Sequence, residues 1–169
     1  MSHARVHAMH DTPRARPVLE FLRGHLAGNL AADATSHMRH PTAIATLLGI
    51  RLVGIDDAHA TVELDVDAAR HGNQQGTVHG GLLCELADAA IGTAHATRMD
   101  VDESFASIDL QATFLRPVWR DRLRACARPL HRGRTISHYV CEITGRDGRL
   151  MARVTSAVMT LRGDAAAGR

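Results

Sequence analysis

One segment of this 169-residue chain, from about His79 to Arg98, has a helical pattern and is apolar on almost all sides. Its apolar residues are Leu82, Leu83, Leu86, Ala87, Ala89, Ala90, Ile91, Ala94 and Ala96. A helix that is hydrophobic all round is stable only when most of its surface is buried. The rest of the chain must therefore supply a surface that surrounds this helix.

Segments on both sides of the long helix alternate apolar and polar residues, a pattern that predicts half-buried β-strands. These segments are 59–68, 105–115, 121–130, 135–144 and 149–161. Strands gathered around a single long helix favour an α+β fold with an antiparallel sheet over alternating βαβ units. We therefore expect a curved antiparallel sheet wrapped around one central helix.

Two short helices are predicted before the first strand and form N-terminal cladding. Apolar residues recur at helical spacing over 18–30, and a second helix begins near Pro41 and stops at Gly49. Residues 1 to about 16 lack any apolar period, which is typical of a flexible arm. The predicted divisions are an arm with a short helix (1–40), the main domain (41–162) and a disordered C-terminal tail (163–169).

The charge balance, the cysteine content and the lack of a long apolar run exclude several classes of protein. Twenty basic residues, all arginine, against 18 acidic ones leave a net charge of +2, which is too balanced for a dedicated nucleic-acid binder. The sequence has no apolar run long enough to cross a membrane and no secretory signal at its N-terminus. Three cysteines are too few for a disulfide scaffold. We therefore expect a reduced, cytoplasmic protein that binds neither nucleic acid nor membrane.

Histidines near the N-terminus raise the question of a metal site. His3, His7 and His10 lie in the predicted arm, without a partnering pattern of cysteines or carboxylates. The three cysteines also lack the spacing of metal ligands. We therefore expect neither a metal nor a cofactor.

The start of the long helix is a candidate oxyanion site. His79, Gly80 and Gly81 lie where the loop 71–78 becomes the helix. The first N–H groups of a helix have no internal partner and lie at the positive end of its dipole. Glycine lets a ligand atom approach these groups closely. This tripeptide alone would also suit an ordinary helix start.

A carboxylate on the same helix is the candidate for chemistry. Asp88 lies nine residues after His79 in a segment where an unpaired charge is costly to bury. Glu85, Asp88, Gly92 and His95 are spaced to form one stripe of the helix. A solvated helix edge would also explain the stripe, and Glu85 is the nearest competing carboxylate.

The motifs around this helix resemble the signature of the PaaI-type hotdog thioesterases, which are acyl-CoA hydrolases. The signature residues are Asn73, Gly76, His79-Gly80-Gly81 and Leu86-Ala87-Asp88. The resemblance continues through Ser107-Ile108-Asp109-Leu110, Phe114-Leu115-Arg116-Pro117 and Arg132-Gly133-Arg134-Thr135. It covers about residues 45–161 and implies the hotdog fold, in which a curved antiparallel sheet wraps one long helix.

The resemblance also implies roles for the residues of the helix start. Asp88 would act as the nucleophile or as a general base on water, and the Gly80 N–H would polarise the thioester carbonyl. Asn73 would position the substrate or the attacking water. His79 would shape the loop or touch the thioester oxygen.

Further positions are implied for the water and for coenzyme A. Ser107 falls where some members of the family place a hydroxyl that assists the water, and Thr93 is the alternative donor. Gly81 would contact the substrate. Arg116 and the Arg132-Gly133-Arg134 loop are candidates for the phosphates of coenzyme A, because guanidinium pairs well with phosphate oxygens.

The spacing between Gly80 and Asp88 bears on the assembly. Eight residues of helix separate them by about 12 Å along the axis, too far for both to reach one carbonyl. By the resemblance, the Asp of one subunit faces the Gly amide of another, which predicts two composite sites per dimer. Either a dimer or a tetramer made of dimers fits this arrangement.

The leading hypothesis is therefore hydrolysis of an acyl-CoA thioester, with phenylacetyl, other aryl or medium-chain acyl groups. An acyl-CoA sensor that keeps the fold without turnover is the alternative, and Asp88 argues against it. A hotdog hydratase would need an Asp and His pair placed to add water across a double bond, and the sequence offers no such pair.

Overall fold

A computed structural model describes residues 17–167 of the chain. Its helices are α1 (Val18–Leu26), α2 (Ala43–Leu48), α3 (Ala68–His71) and α4 (Gly80–Ala96). Its strands are β1 (Arg51–Asp56), β2 (His59–Asp67), β3 (Ser104–Ser107), β4 (Gln111–Phe114), β5 (Arg120–Arg132), β6 (Ile136–Thr144) and β7 (Leu150–Leu161). A single 3₁₀ turn follows at Gly163–Ala165.

The strands form one antiparallel sheet in the order β1-β2-β5-β6-β7-β3, and β4 also pairs with β7. The sheet curls around α4, and the buried side chains of β2, β5, β6 and β7 form one core with those of the helix. Leu86, Ala90 and Ile91 of α4 are fully buried. The predicted α+β hotdog fold is thus confirmed, and the apolar helix is its centre.

The predicted strand over 105–115 is divided by a β-bulge. Ser107 pairs with Val158 and Gln111 pairs with Thr155, so four steps on one strand match three on β7. Asp109 fills the gap, because its Oδ1 accepts a hydrogen bond from the Ala157 N–H at 2.7 Å. A bulge bends its strand and changes the direction of nearby side chains. Here it directly follows Ser107.

Helix α1 packs at one end of α4, and α2 packs against the main core. Phe21 and Leu22 of α1 are buried in a small cluster with Ala96 at the end of α4. The Thr42 side chain caps α2, and Gly49 ends this helix with a φ of 78°. Both predicted helices are confirmed, although α1 ends earlier than expected.

Three elements were not predicted from the sequence, namely β1, α3 and the 3₁₀ turn, which lies in the segment expected to be a disordered tail. The predicted arm at residues 1–16 lies outside the described residues, and the proposed domain boundaries stay a prediction. No helix among the described residues is long and apolar enough to span a membrane.

Many of the arginines form ion pairs across neighbouring strands. The pairs Arg124–Glu63 and Arg122–Asp65 join β5 to β2 at 2.7 and 2.8 Å. Exposed pairs of this kind contribute little stability each. They nevertheless explain why an arginine-rich chain has a surface of mixed charge.

Candidate active site

Asp88 lies at the middle of α4 and contacts the end of β3. The Ser107 hydroxyl donates a hydrogen bond to Asp88 Oδ1 at 2.9 Å. The Thr93 hydroxyl instead donates to the Ala89 carbonyl at 2.7 Å, within the helix. Of the two hydroxyl candidates, the geometry therefore favours Ser107 as the partner of the carboxylate.

Replacing Ser107 with alanine should lower kcat of the thioesterase reaction about 10- to 100-fold, because a hydrogen bond to a charged group is worth about 1.5 to 3 kcal/mol. Thr93→Val is the matched control, since it removes a hydroxyl that does not contact Asp88. Steady-state rates of thiol release measure both. Equal losses in the two variants would contradict the assignment of Ser107.

A cavity of about 320 Å³ lies beside Asp88. Its walls come from α4, the first two strands, Phe105 and the segment before β1. The lining includes Glu85, Asp88, Ala89, Gly92, Thr93, Leu52, Val62 and Phe105. The carboxylate thus borders a largely apolar space that suits a hydrocarbon group.

Glu85 lines the same cavity one helical turn before Asp88. Burial and, to a smaller extent, the charge of Asp88 raise the pKa of the Glu85 carboxyl above its ordinary value of 4.5. Among residues 17–167, no hydrogen-bond or ion-pair partner compensates its charge. The sequence-based view of Glu85 as a solvated edge residue is incomplete, because this carboxyl is partly buried.

Glu85→Gln should therefore stabilise the fold at neutral pH. A carboxyl whose pKa is raised by folding opposes folding increasingly as pH rises through its unfolded and then its folded pKa. Below the ordinary pKa of 4.5 the effect vanishes. Urea unfolding of wild type and variant at neutral and acidic pH measures it. Glu142→Gln is the control, since Glu142 pairs with Arg153 at 3.3 Å in an exposed position, and the variant should show no gain in stability.

The start of α4 presents one open backbone amide. His79 is the N-cap of the helix, and its Nδ1 accepts a hydrogen bond from the Gly81 N–H at 3.0 Å. Among the described residues, none accepts a hydrogen bond from the Gly80 N–H. The two candidate amides are thus unequal: that of Gly81 is occupied by His79, and that of Gly80 is available.

Asn73 builds the loop that leads to this amide. Its Oδ1 accepts hydrogen bonds from the backbone N–H groups of Gln75 and Thr77, at 2.9 and 3.2 Å. Its Nδ2 donates to the Thr77 hydroxyl at 3.1 Å. Asn73 therefore shapes the loop as well as bordering the cavity in front of Gly80.

The cavity at Gly80 has a volume of about 430 Å³ and differs from that at Asp88. Asn73, Gln75, Thr77 and Arg116 supply polar groups to it, and the Phe114 ring covers Gly80. A Cβ on Gly80 would meet this ring at 2.9 Å, so only glycine fits there without movement. Within one chain, Gly80 and Asp88 therefore line separate cavities.

The arginine candidates also fall in two places. Arg116 borders the Gly80 cavity. The loop Arg132-Gly133-Arg134 borders a third cavity of about 340 Å³ at the far end of α4, together with Arg98 and Arg162. Arg132 is held there by Asp57 at 3.1 Å.

His95 departs from the stripe predicted on α4. It is buried, and its two ring nitrogens contact the Tyr139 hydroxyl at 3.3 Å and the Thr160 hydroxyl at 3.0 Å. Burial is the main cause that lowers the pKa of His95 to about 4. This histidine is therefore a neutral residue of the interior. Its spacing on the helix did not predict this burial.

A curved antiparallel sheet around one long helix is the hotdog fold, and this chain has a carboxylate at the middle of that helix and an open amide at its start. The thioesterase superfamily model matches residues 75–152. The acyl-coenzyme A thioesterase PaaI of Escherichia coli is 33% identical over 112 residues, 65% of this chain and 76% of that protein. The 1,4-dihydroxy-2-naphthoyl-CoA hydrolase of Listeria monocytogenes is 27% identical over 117 residues, 68% of this chain and 94% of that protein.

A solved structure shows the same relationship. The E. coli PaaI structure superimposes with a TM-score of 0.66 at 28% identity and covers 73% of this chain and 87% of that one. The chain belongs to the thioesterase superfamily, among the PaaI-type hotdog proteins. It is a thioester hydrolase.

Proposed function

We propose that the protein hydrolyses an acyl-CoA thioester to the free acid and coenzyme A, at a site formed by two subunits. The observation that carries the proposal is the Asp88 carboxylate, which accepts a hydrogen bond from Ser107 and borders an apolar cavity. The thioester carbonyl would lie between Asp88 of one subunit and the Gly80 N–H of the partner subunit. A backbone donor aimed at the developing oxyanion contributes about 3 kcal/mol to such reactions.

Asp88 would act in one of two ways. As a nucleophile, its Oδ attacks the carbonyl carbon, the C–S bond breaks, coenzyme A leaves as thiolate, and water hydrolyses the resulting anhydride. As a general base, it takes a proton from a water that attacks the carbonyl directly. A single turnover in ¹⁸O-labelled water tests the anhydride route, since label in the Asp88 carboxyl can arise only by that route.

Exposed apolar side chains next to the bulge support the dimer. Ile108 is 52% exposed and Phe114 is also 52% exposed, and Leu110 and Leu115 lie near them in sequence. Apolar surface at the edge of a sheet favours pairing with another chain. In this proposal a partner covers that edge and brings its own Gly80 amide towards Asp88. Two such dimers could associate further as a tetramer.

We infer that the acyl group is aryl or medium-chain. The cavity beside Asp88 is mainly apolar, and the relatives in E. coli and Listeria carry the names of an acyl-coenzyme A thioesterase and an aromatic acyl-CoA hydrolase. The more polar Gly80 cavity, with Arg116 at its border, would bind the coenzyme A part of the substrate, and Arg132 and Arg134 are further candidates for its phosphates.

The three free cysteines support a location in the reducing cytoplasm.

Thiol release from a panel of acyl-CoAs tests the proposed function. Turnover of phenylacetyl-CoA or octanoyl-CoA by the dimer, and none by the monomer, is the expected result. Binding of these esters without any thiol release would favour a sensor of acyl-CoA instead.

A further inference from the structure

The cavity beside Asp88 has one wall that comes from the segment before β1. Six of its lining residues belong to this segment, Met38, Arg39, His40, Thr42, Ile44 and Ala45. A part of the chain that precedes the sheet therefore reaches the candidate reaction centre.

This wall is fixed in place at both ends. Met38 packs against the cluster that α1 forms with Ala96. Ala45 packs against the main core, and the Thr42 hydroxyl accepts a hydrogen bond from the Ala45 N–H at 3.2 Å. Close-packed interiors yield little when a ligand enters, so a wall anchored in this way can discriminate between ligands of different size.

The cavity as a whole is mainly apolar, although Arg39, His40 and Thr42 of this wall are polar. Met38, Ile44 and Ala45 line it together with Phe105 of β3 and Val62 of β2. The pKa of His40 is lowered by burial and by His25, so its ring is neutral at neutral pH. An uncharged hydrocarbon group is therefore the occupant that this space fits.

The volume of the cavity indicates which groups it can hold. A cavity of about 320 Å³ has room for about ten non-hydrogen atoms at roughly 30 Å³ each. We propose that residues 38–45 set the upper size of the acyl group, with Met38 and Ile44 as specificity-determining residues. This inference rests on the proposed thioesterase function. An octanoyl or arylacetyl group fits the limit, and a long-chain acyl group exceeds it.

Substitutions that fill or deepen the cavity test this proposal. Met38→Trp should lower kcat/KM for octanoyl-CoA and phenylacetyl-CoA at least about tenfold while acetyl-CoA changes little, because a single methylene in a pocket is worth about 10- to 200-fold. Met38→Ala should shift the preferred chain by about two carbons towards longer acyl groups. Leu47→Ala is the control, since Leu47 lies in α2 but is 77% exposed and does not line the cavity.

A binding measurement separates this proposal from the proposed function. Octyl-CoA and ethyl-CoA are thioethers that cannot be hydrolysed, and calorimetry gives their affinities for each variant. If the wild type releases no thiol from any ester, the thioesterase proposal fails. Selective loss of octyl-CoA binding in Met38→Trp would still support the role of residues 38–45 in setting the size of the bound group. Unchanged length profiles in both Met38→Ala and the second filling variant Ile44→Trp, with normal thermal unfolding, would overturn it.

Discussion

Asp88→Asn should reduce thiol release at least about 10³-fold, because an amide can neither attack the thioester nor take a proton from water. The fold should persist, since the Asn Oδ1 can still accept the hydrogen bond that Ser107 donates at 2.9 Å. Thiol release from acyl-CoAs measures the loss, and thermal unfolding and light scattering check the fold and the assembly.

The matched control for this variant is Asp109→Asn. Asp109 lies in the bulge, where its Oδ1 accepts from the Ala157 N–H at 2.7 Å, and an Asn Oδ1 retains that bond. We expect near-normal turnover in the control. Residual activity above about a tenth of wild type in Asp88→Asn would exclude this carboxylate from the chemistry and leave Glu85 as the carboxylate of the cavity.

Gly80→Pro should lower kcat about 10²- to 10³-fold, because proline lacks the N–H that the proposal aims at the oxyanion. The backbone accommodates proline here: Gly80 is the first residue of α4, a position that favours proline, and His79 has the extended conformation that must precede it. Gly80→Ala adds a Cβ towards Phe114 as proline does but keeps the N–H. The difference between the two variants therefore isolates the amide.

Mixing the two defects tests the composite site directly. In a mixed dimer of Asp88→Asn and Gly80→Pro subunits, one site carries both defects and the other carries neither. If subunits exchange freely, half of the dimers are mixed, and about a quarter of wild-type activity should return. A site built within one chain would recover nothing, so the absence of recovery in verified mixed dimers would refute the two-subunit arrangement.

The central helix and its sheet were predictable because they depend on local patterns. The apolar surface of α4 must be covered by other elements, and the two-residue period of β2 predicts one of the strands that cover it. Asp88 was recognisable for a similar reason, since a carboxylate on a buried helix is costly and its spacing from His79 resembles a family motif. β1 was missed because its alternation is interrupted between Leu52 and Gly54, and α3 because four residues are too few to show a helical period.

The sequence did not determine which distant parts of the chain contact each other, and the tertiary structure did. The choice between Ser107 and Thr93 depended on the pairing of β3 with β7 and on the contact of Ser107 with Asp88. The Gly81 amide is occupied and the Gly80 amide is open because the His79 side chain accepts a hydrogen bond from Gly81.

What the sequence by itself determined about this protein is its central helix, its fold class and the carboxylate of its candidate site. These follow from the order of apolar and polar residues along short stretches of chain. Only the tertiary structure decided which hydroxyl reaches Asp88, and that residues 38–45 form one wall of the cavity beside it. The physical reason is that the curl of the sheet, which no local pattern specifies, sets the distances between residues far apart in sequence.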